Sequence, residues 1–158
     1  SKAMPNLKIY VKDHPRIGNI FKNKAFYKNL KKLKNVKLIN LHSDTYELIN
    51  NSYAVATITG SAGLEAILKG KPLLMFGNRI YEHAPGVYKI KTFNDLRLAF
   101  ESISEDFTFN FQNVLYFFKA LEEITFEGVM APDEEYLSNV THQDSARRMI
   151  EIIYDSFK

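Results

Sequence analysis

Cysteine is absent from the 158 residues, which excludes disulfides and thiolate metal sites and fits a reducing compartment. No apolar run approaches the roughly 20 residues of a membrane-spanning helix, and the first residues lack a signal-peptide pattern, so a cytoplasmic protein is expected. The histidines His14, His42, His83 and His142 are scattered without metal-ligand spacing. The acidic run Asp133-Glu134-Glu135 lies in a late polar stretch and is expected to be solvated, so no metal site is expected. The dinucleotide fingerprint GxGxxG, the phosphate-loop pattern GxxxxGK[ST] and the GxSxG nucleophile elbow are all missing. Ordinary NAD and ATP sites and the hydrolase triad are thereby disfavoured, and no cofactor is expected.

Acids are scarce in one part of the chain. Residues 1–40 hold ten lysines and Arg16 against the single acid Asp13, a balance of +10, while the other 118 residues carry 10 bases and 17 acids, a balance of −7. This cationic quarter has two readings: solvated lysines on an outer helix over 21–34, or attachment of that helix to an anionic inner-membrane surface. Aromatic and arginine interleaving is lacking, so nucleic acid is not an expected partner.

What remains is globular: 46% apolar and 25% charged residues, enough for a core without covalent staples. "SKAMPN" reads as a cleaved junction, with residues 1–4 foreign and the chain a piece of a longer protein. Short β-branched runs alternate with helical periodicity. Strands are expected at 7–12, 36–40, 53–58, 72–76 and 86–90, those at 53–58 and 72–76 buried on both faces. Helices are expected at 21–34, from a cap at Ser43 or Asp44, at 61–69 with Gly70 ending it, and at 94–103. The 61–69 helix is expected to bury Leu64, Ile67 and Leu68. An aromatic-rich helix around Val114 to Leu121 and a closing helix from Asp144, stacking Ala146, Met149, Ile150, Ile153 and Phe157, follow. The fold expected is one α/β domain over 1–158. It is a Rossmann-like parallel sheet of four to six strands, with helices on both faces and the C-terminal helices packed on the sheet.

Open parallel sheets bind ligands beyond the carboxyl ends of their strands. Two polar groups fall there. "KDHPR" leaves the first strand with Lys12, His14 and Arg16; Pro15 fixes the chain and the imidazole suits a phosphate. "TGSAGLE" leaves the third with Thr59, Gly60, Ser61, Gly63 and Glu65. Glycines at 60 and 63 allow close backbone approach, a helix start at Ser61 directs amides at an anion, and Glu65 suits ribose hydroxyls or a base amino group. The alternative is that these are ordinary turn residues, with Ser61 a plain helix cap and Glu65 an exposed helix residue.

"VKDHP", "TITGSAGLEAILKGKPLLMFG" and "FNDLRLAF" together resemble the nucleotide-sugar-binding half of capsule polysaccharide biosynthesis glycosyltransferases, of the Kdo-transferase, two-Rossmann-domain (GT-B) kind. Bacterial sialyltransferases and teichoic acid glycerophosphotransferases are more loosely similar. The resemblance spans residues 7–104. It implies a donor-binding domain for a CMP-linked sugar, in which His14 acts catalytically at the donor phosphate. Ser61 with Gly60 and Thr59 holds the phosphate or the cytidine side, Glu65 meets the ribose, and Gly77 with Asn78 borders the base or sugar. It also implies a missing N-terminal acceptor domain, metal-independent transfer, and no catalysis by this chain alone. Some relatives carry two adjacent hydroxyl residues where this chain has Ser61 only, which leaves the leaving nucleotide open. The alternatives are glycerophosphate transfer, a UDP-sugar enzyme, or a non-catalytic docking module.

Overall fold

The computed structural model describes residues 6–14, 24–129 and 132–155, the side chains at 106 and 133–135 excepted. The chain divides into two compact units, Ser1–Phe109 and Asn110–Lys158.

The first unit alternates strand and helix: β1 (Ile9–Val11), α1 (Lys24–Lys31), β2 (Val36–Leu38), α2 (Thr45–Asn50), β3 (Val55–Thr57), α3 (Ala62–Leu68), β4 (Leu73–Met75), β5 (Val87–Lys89) and α4 (Phe93–Asp106). All strand pairs are parallel, as expected of a Rossmann-like α/β fold. The five strands form two hydrogen-bonded sheets, β1-β2 and β3-β4-β5, where one continuous sheet was expected. Leu7, next to β1, and Tyr53, next to β3, nevertheless line one cleft with Arg97 and Phe100, so the amino ends of the two sheets are neighbours.

β4 is the centre. Leu73, Leu74 and Met75 are all buried, and alternation sends Leu73 and Leu74 to opposite faces. Leu73 meets α3, its Cδ2 lying 3.1 Å from where a side chain on Gly63 would begin. Leu74 joins Ile90, Ala99 and Ile103 in a cluster with Leu96 and Phe100 of α4. The two helices therefore cover the two faces of β4. α4 starts at a capping box, with the Thr92 hydroxyl accepting from the Asp95 amide (3.1 Å) and Asp95 from the Thr92 amide (2.8 Å). Asp44 caps α2 by accepting from the Tyr46 amide at 2.7 Å. Gly70, at φ +66°, follows the end of α3.

Three expectations are corrected. β3 is not buried on both faces: Ala56 is exposed, because the α4 cluster reaches Ala54 and stops there. α3 buries Gly63, Ala66 and Ile67, while Leu68 is 50% exposed. Small residues at 63 and 66 let that ridge approach the sheet, which swings Leu68 ~140° around the helix from Gly63. The third correction concerns the second unit, which comprises α5 (Phe111–Ile124), a 3-10 helix (Pro132–Leu137) and α6 (His142–Asp155). Among the described residues of α6 only Ser145 is buried, and Met149, Ile150 and Ile153 are exposed. The Ser145 hydroxyl is used internally, donating to the Thr141 carbonyl (2.9 Å) and accepting from the Val129 amide (3.0 Å). Phe157 lies outside the described residues.

Removal of the Thr92 hydroxyl takes one arm from the capping box. Thr92→Ala is expected to lower stability by about 1 kcal/mol in chemical denaturation, with an unchanged denaturant slope.

Candidate functional site

Parallel pairing sends the exits of β3, β4 and β5 to one edge, where side chains tie them together. After β3, the Gly60 amide donates to Thr57 Oγ1 (3.1 Å), and the Gly60 carbonyl accepts from the Gly63 amide (3.1 Å) and the Tyr81 hydroxyl (2.6 Å). Arg79 Nε donates to the neighbouring Thr59 carbonyl at 2.9 Å. After β4, a side chain on Gly77 would begin 2.5 Å from the Ile58 carbonyl oxygen, so only glycine lets this exit cross that of β3. Lys89, closing β5, donates to the Gly77 carbonyl, to Asn78 Oδ1 and to Glu82 Oε2. Thr59, Gly60, Ser61, Gly77 and Asn78 are thereby gathered at one rim.

Ser61 is exposed and sits in the right-handed helical region. Ser61 holds the N-cap position of α3 through its backbone, its carbonyl accepting from the Glu65 amide at 3.1 Å, while its hydroxyl makes no capping hydrogen bond. Glu65, one turn on, is half-buried, and its Oε2 is buried with no hydrogen-bond partner among the described residues. It is not the fully exposed helix residue of the alternative reading. Gly63 is buried, and the close approach it permits is to Tyr81, whose hydroxyl lies 2.8 Å from the position of a Cβ.

The other group leaves β1 from the separately bonded sheet. Lys12 is half-buried and His14 exposed. Asp13 between them accepts the Tyr27 hydroxyl at 2.7 Å, fastening α1 to the end of β1. That hydrogen bond, with burial and the carboxylate charge, raises the Tyr27 pKa above the usual phenol value. Arg16 and Pro15 lie outside the described residues.

Residues 1–116 match the family described as capsule polysaccharide biosynthesis protein, well over half of the chain. The chain belongs to that capsule polysaccharide biosynthesis family. No curated protein and no solved structure matches it.

For this capsule-family chain, sequence reasoning passed over Arg79, Tyr81, Glu82 and Lys89, the residues that fix the rim. Their partners are remote in sequence, Tyr81 reaching 21 residues back to Gly60. The available signal was a run of charged and aromatic residues, "NRIYEH", directly after a strand exit. Tyr81 is only 5% exposed; burial pushes its phenol up and the Arg79 charge partly opposes this, so it stays a neutral donor at ordinary pH. The Lys89 hydrogen bond, ahead of burial acting the other way, holds the Glu82 carboxyl below its usual value.

Two outcomes are expected. Tyr81→Phe removes the Gly60 tether and costs about 1 kcal/mol by denaturation, the fold being retained. Lys89→Met lets the Glu82 pKa rise, read by carbon-detected NMR titration. Because the folded pKa of Glu82 is depressed, its contribution to stability is present above the unfolded pKa and lost as pH falls through the folded one. Lys89→Met therefore flattens the acid side of the stability profile.

Proposed function

We propose that the first unit binds the nucleotide end of an activated sugar, as the donor domain of a glycosyltransferase in capsule or surface polysaccharide synthesis. The observation that carries this reading is the pair at the head of α3: a Ser61 hydroxyl that does not cap its helix, and a Glu65 carboxylate oxygen buried without a partner. A buried polar atom without a hydrogen bond costs free energy, so its retention beside an open turn favours a ligand that donates to it. Ribose hydroxyls and a base amino group are such donors. Membership of the capsule family supplies the biosynthetic context.

In this reading Ser61, Gly60 and Thr59 meet the phosphate together with His14 and Lys12 from the end of β1, and Arg16 is assigned to the same phosphate from the sequence alone. Gly77 and Asn78 border the base or sugar. Transfer is a displacement at the anomeric carbon. Charge develops on the departing phosphate as the glycosidic bond breaks, and fixed donors at that phosphate lower the barrier without a metal. His14 is the catalytic group in this scheme, as hydrogen-bond donor to the leaving phosphate. The acceptor and its base belong to a partner domain, and the sugar is CMP-linked.

Isothermal calorimetry of the chain with CMP, CDP and UDP tests this. CMP or CDP is expected to bind more tightly than UDP, and Glu65→Gln to weaken binding about tenfold, the value of a hydrogen bond to a charged acceptor. Tighter binding of UDP replaces the cytidine assignment with a uridine one. No binding of any nucleotide, with the thermal transition intact, removes the donor-domain reading.

A further inference from the structure

A second surface lies at the opposite edge of the first unit. α1 carries Lys24, Lys28 and Lys31 at positions i, i+4 and i+7, hence on one face, and all three are exposed. The helix has no acid in its first turn and buries no residue. Just beyond it, Lys32 and Lys34 are exposed as well. Lys8 joins them through backbone pairing: the Ile9 amide donates to the Asn35 carbonyl (2.8 Å) and Asn35 Nδ2 to the Leu7 carbonyl (2.8 Å). A crossover helix between two parallel strands runs antiparallel to them. The last turn of α1, Lys32, Lys34 and Lys8 therefore collect at the amino edge of the β1-β2 sheet. His14 leaves by the other edge.

None of these lysines is ion-paired among the described residues, although the chain has 18 acids. Between Lys24 and Ser43 the sequence holds no acidic residue at all. Like charges left together without counter-charges disfavour the compact state, and an anionic partner would relieve that repulsion.

We infer that this edge docks on an anionic phospholipid surface. The residue type decides among anionic partners. Arginine is absent from the described residues up to Arg79, and Arg97, in the neighbouring cleft with Leu7, is paired with Glu101, so the lysines are not accompanied by an unengaged planar fork of the kind that grips nucleic-acid phosphates and guanine edges. Single-stranded nucleic acid asks for a cationic groove with stacking aromatics, whereas none of these lysines lines the cleft that holds Tyr53 and Phe100, and their ammonium groups stand on flexible stems outside it. Such a distribution matches mobile lipid headgroups, where each lysine adds about a fivefold gain in partitioning. No helix among the described residues is long and apolar enough to cross a membrane, so attachment is peripheral and reversible. Docking at the amino edge leaves the carboxyl rim facing away from the lipid. The inference stands on charge and topology and does not depend on the nucleotide reading.

Co-sedimentation with vesicles tests it. The chain is expected to bind phosphatidylcholine vesicles containing phosphatidylglycerol, to ignore pure phosphatidylcholine, and to be released by high salt. The triple variant Lys31→Glu, Lys32→Glu, Lys34→Glu is expected to lose at least tenfold in partitioning, while Lys119→Glu in the second unit has no effect. If the triple reversal does not fold, as judged by circular dichroism, the glutamine triple replaces it, with a smaller loss expected. Equal binding to neutral vesicles, undiminished binding of the folded lysine variants, or tighter binding of a single-stranded oligonucleotide or dextran sulfate than of the vesicles overturns the inference.

Discussion

The exits of β3, β4 and β5 are held by side-chain hydrogen bonds to backbone carbonyls, and the rest of the candidate site depends on these. A strand of three residues specifies its direction but not the path of the chain after it. Here Tyr81 reaches back to the Gly60 carbonyl, Arg79 to Thr59, and Lys89 to Gly77, with Asn78 and Glu82 completing the ammonium's partners. Gly77 makes the arrangement sterically feasible, because the exit of β4 passes against the Ile58 carbonyl. Hydrogen bonds of this kind tie the turns to one another without a ligand. Preorganisation of that kind is what a site acting through hydrogen-bond donors requires.

The fold was legible because its signals are local. Apolar runs, Asp44 before a helical pattern, and Gly70 after one each report on a few neighbouring residues, and α2, α3 and all five strands fall inside their expected segments. Errors arose where a neighbour across space decides the outcome. "YAVATI" reads as buried on both sides, yet Ala56 is exposed because α4 covers only part of β3. Leu68 fits the helical apolar pattern, but Gly63 and Ala66 set which ridge of α3 meets the sheet. The candidate site divides in the same way. The turn from Thr59 to Ser61 and the Gly77-Asn78 exit stood out because glycine and hydroxyl or amide residues follow an apolar run there, a pattern that ordinary turns share. Their supports Tyr81 and Lys89 did not, because neither a tyrosine in a loop nor a lysine closing a strand reports a carbonyl remote in sequence.

Topology also separates charges. Every strand of the first unit runs the same way, so whatever follows a strand and whatever precedes one fall on opposite edges. Lys8 precedes β1, and Lys31, Lys32 and Lys34 precede β2, whereas Lys12 and His14 follow β1 and the glycines and Ser61 follow β3 and β4. A strongly cationic surface beside an anion site would compete with it for phosphate. Much of the basic quarter of the sequence lies at the amino edge, while Lys12 stands with His14 at the carboxyl end of β1.

The carboxylate of Glu65 is the apparent contradiction in a rim proposed to hold a phosphate. Its Cα lies four residues beyond Ser61, about 6 Å along a helix axis. At that separation two unit charges repel by about 0.7 kcal/mol in water and about 3 kcal/mol at an effective dielectric of 20. Against this stand Arg79, held on the Thr59 carbonyl of the same turn, and the exposed Ser61 hydroxyl at the head of α3. An apolar residue at 65 would remove the repulsion and also the acceptor, leaving only the Gly77-Asn78 border to tell a nucleoside phosphate from inorganic phosphate in the proposed reading. On the proposed nucleotide reading, a carboxylate set one turn back trades some phosphate affinity for selection of a ligand whose sugar and base bring donors to that distance, and the unpartnered oxygen is half of a discrimination whose other half is the turn.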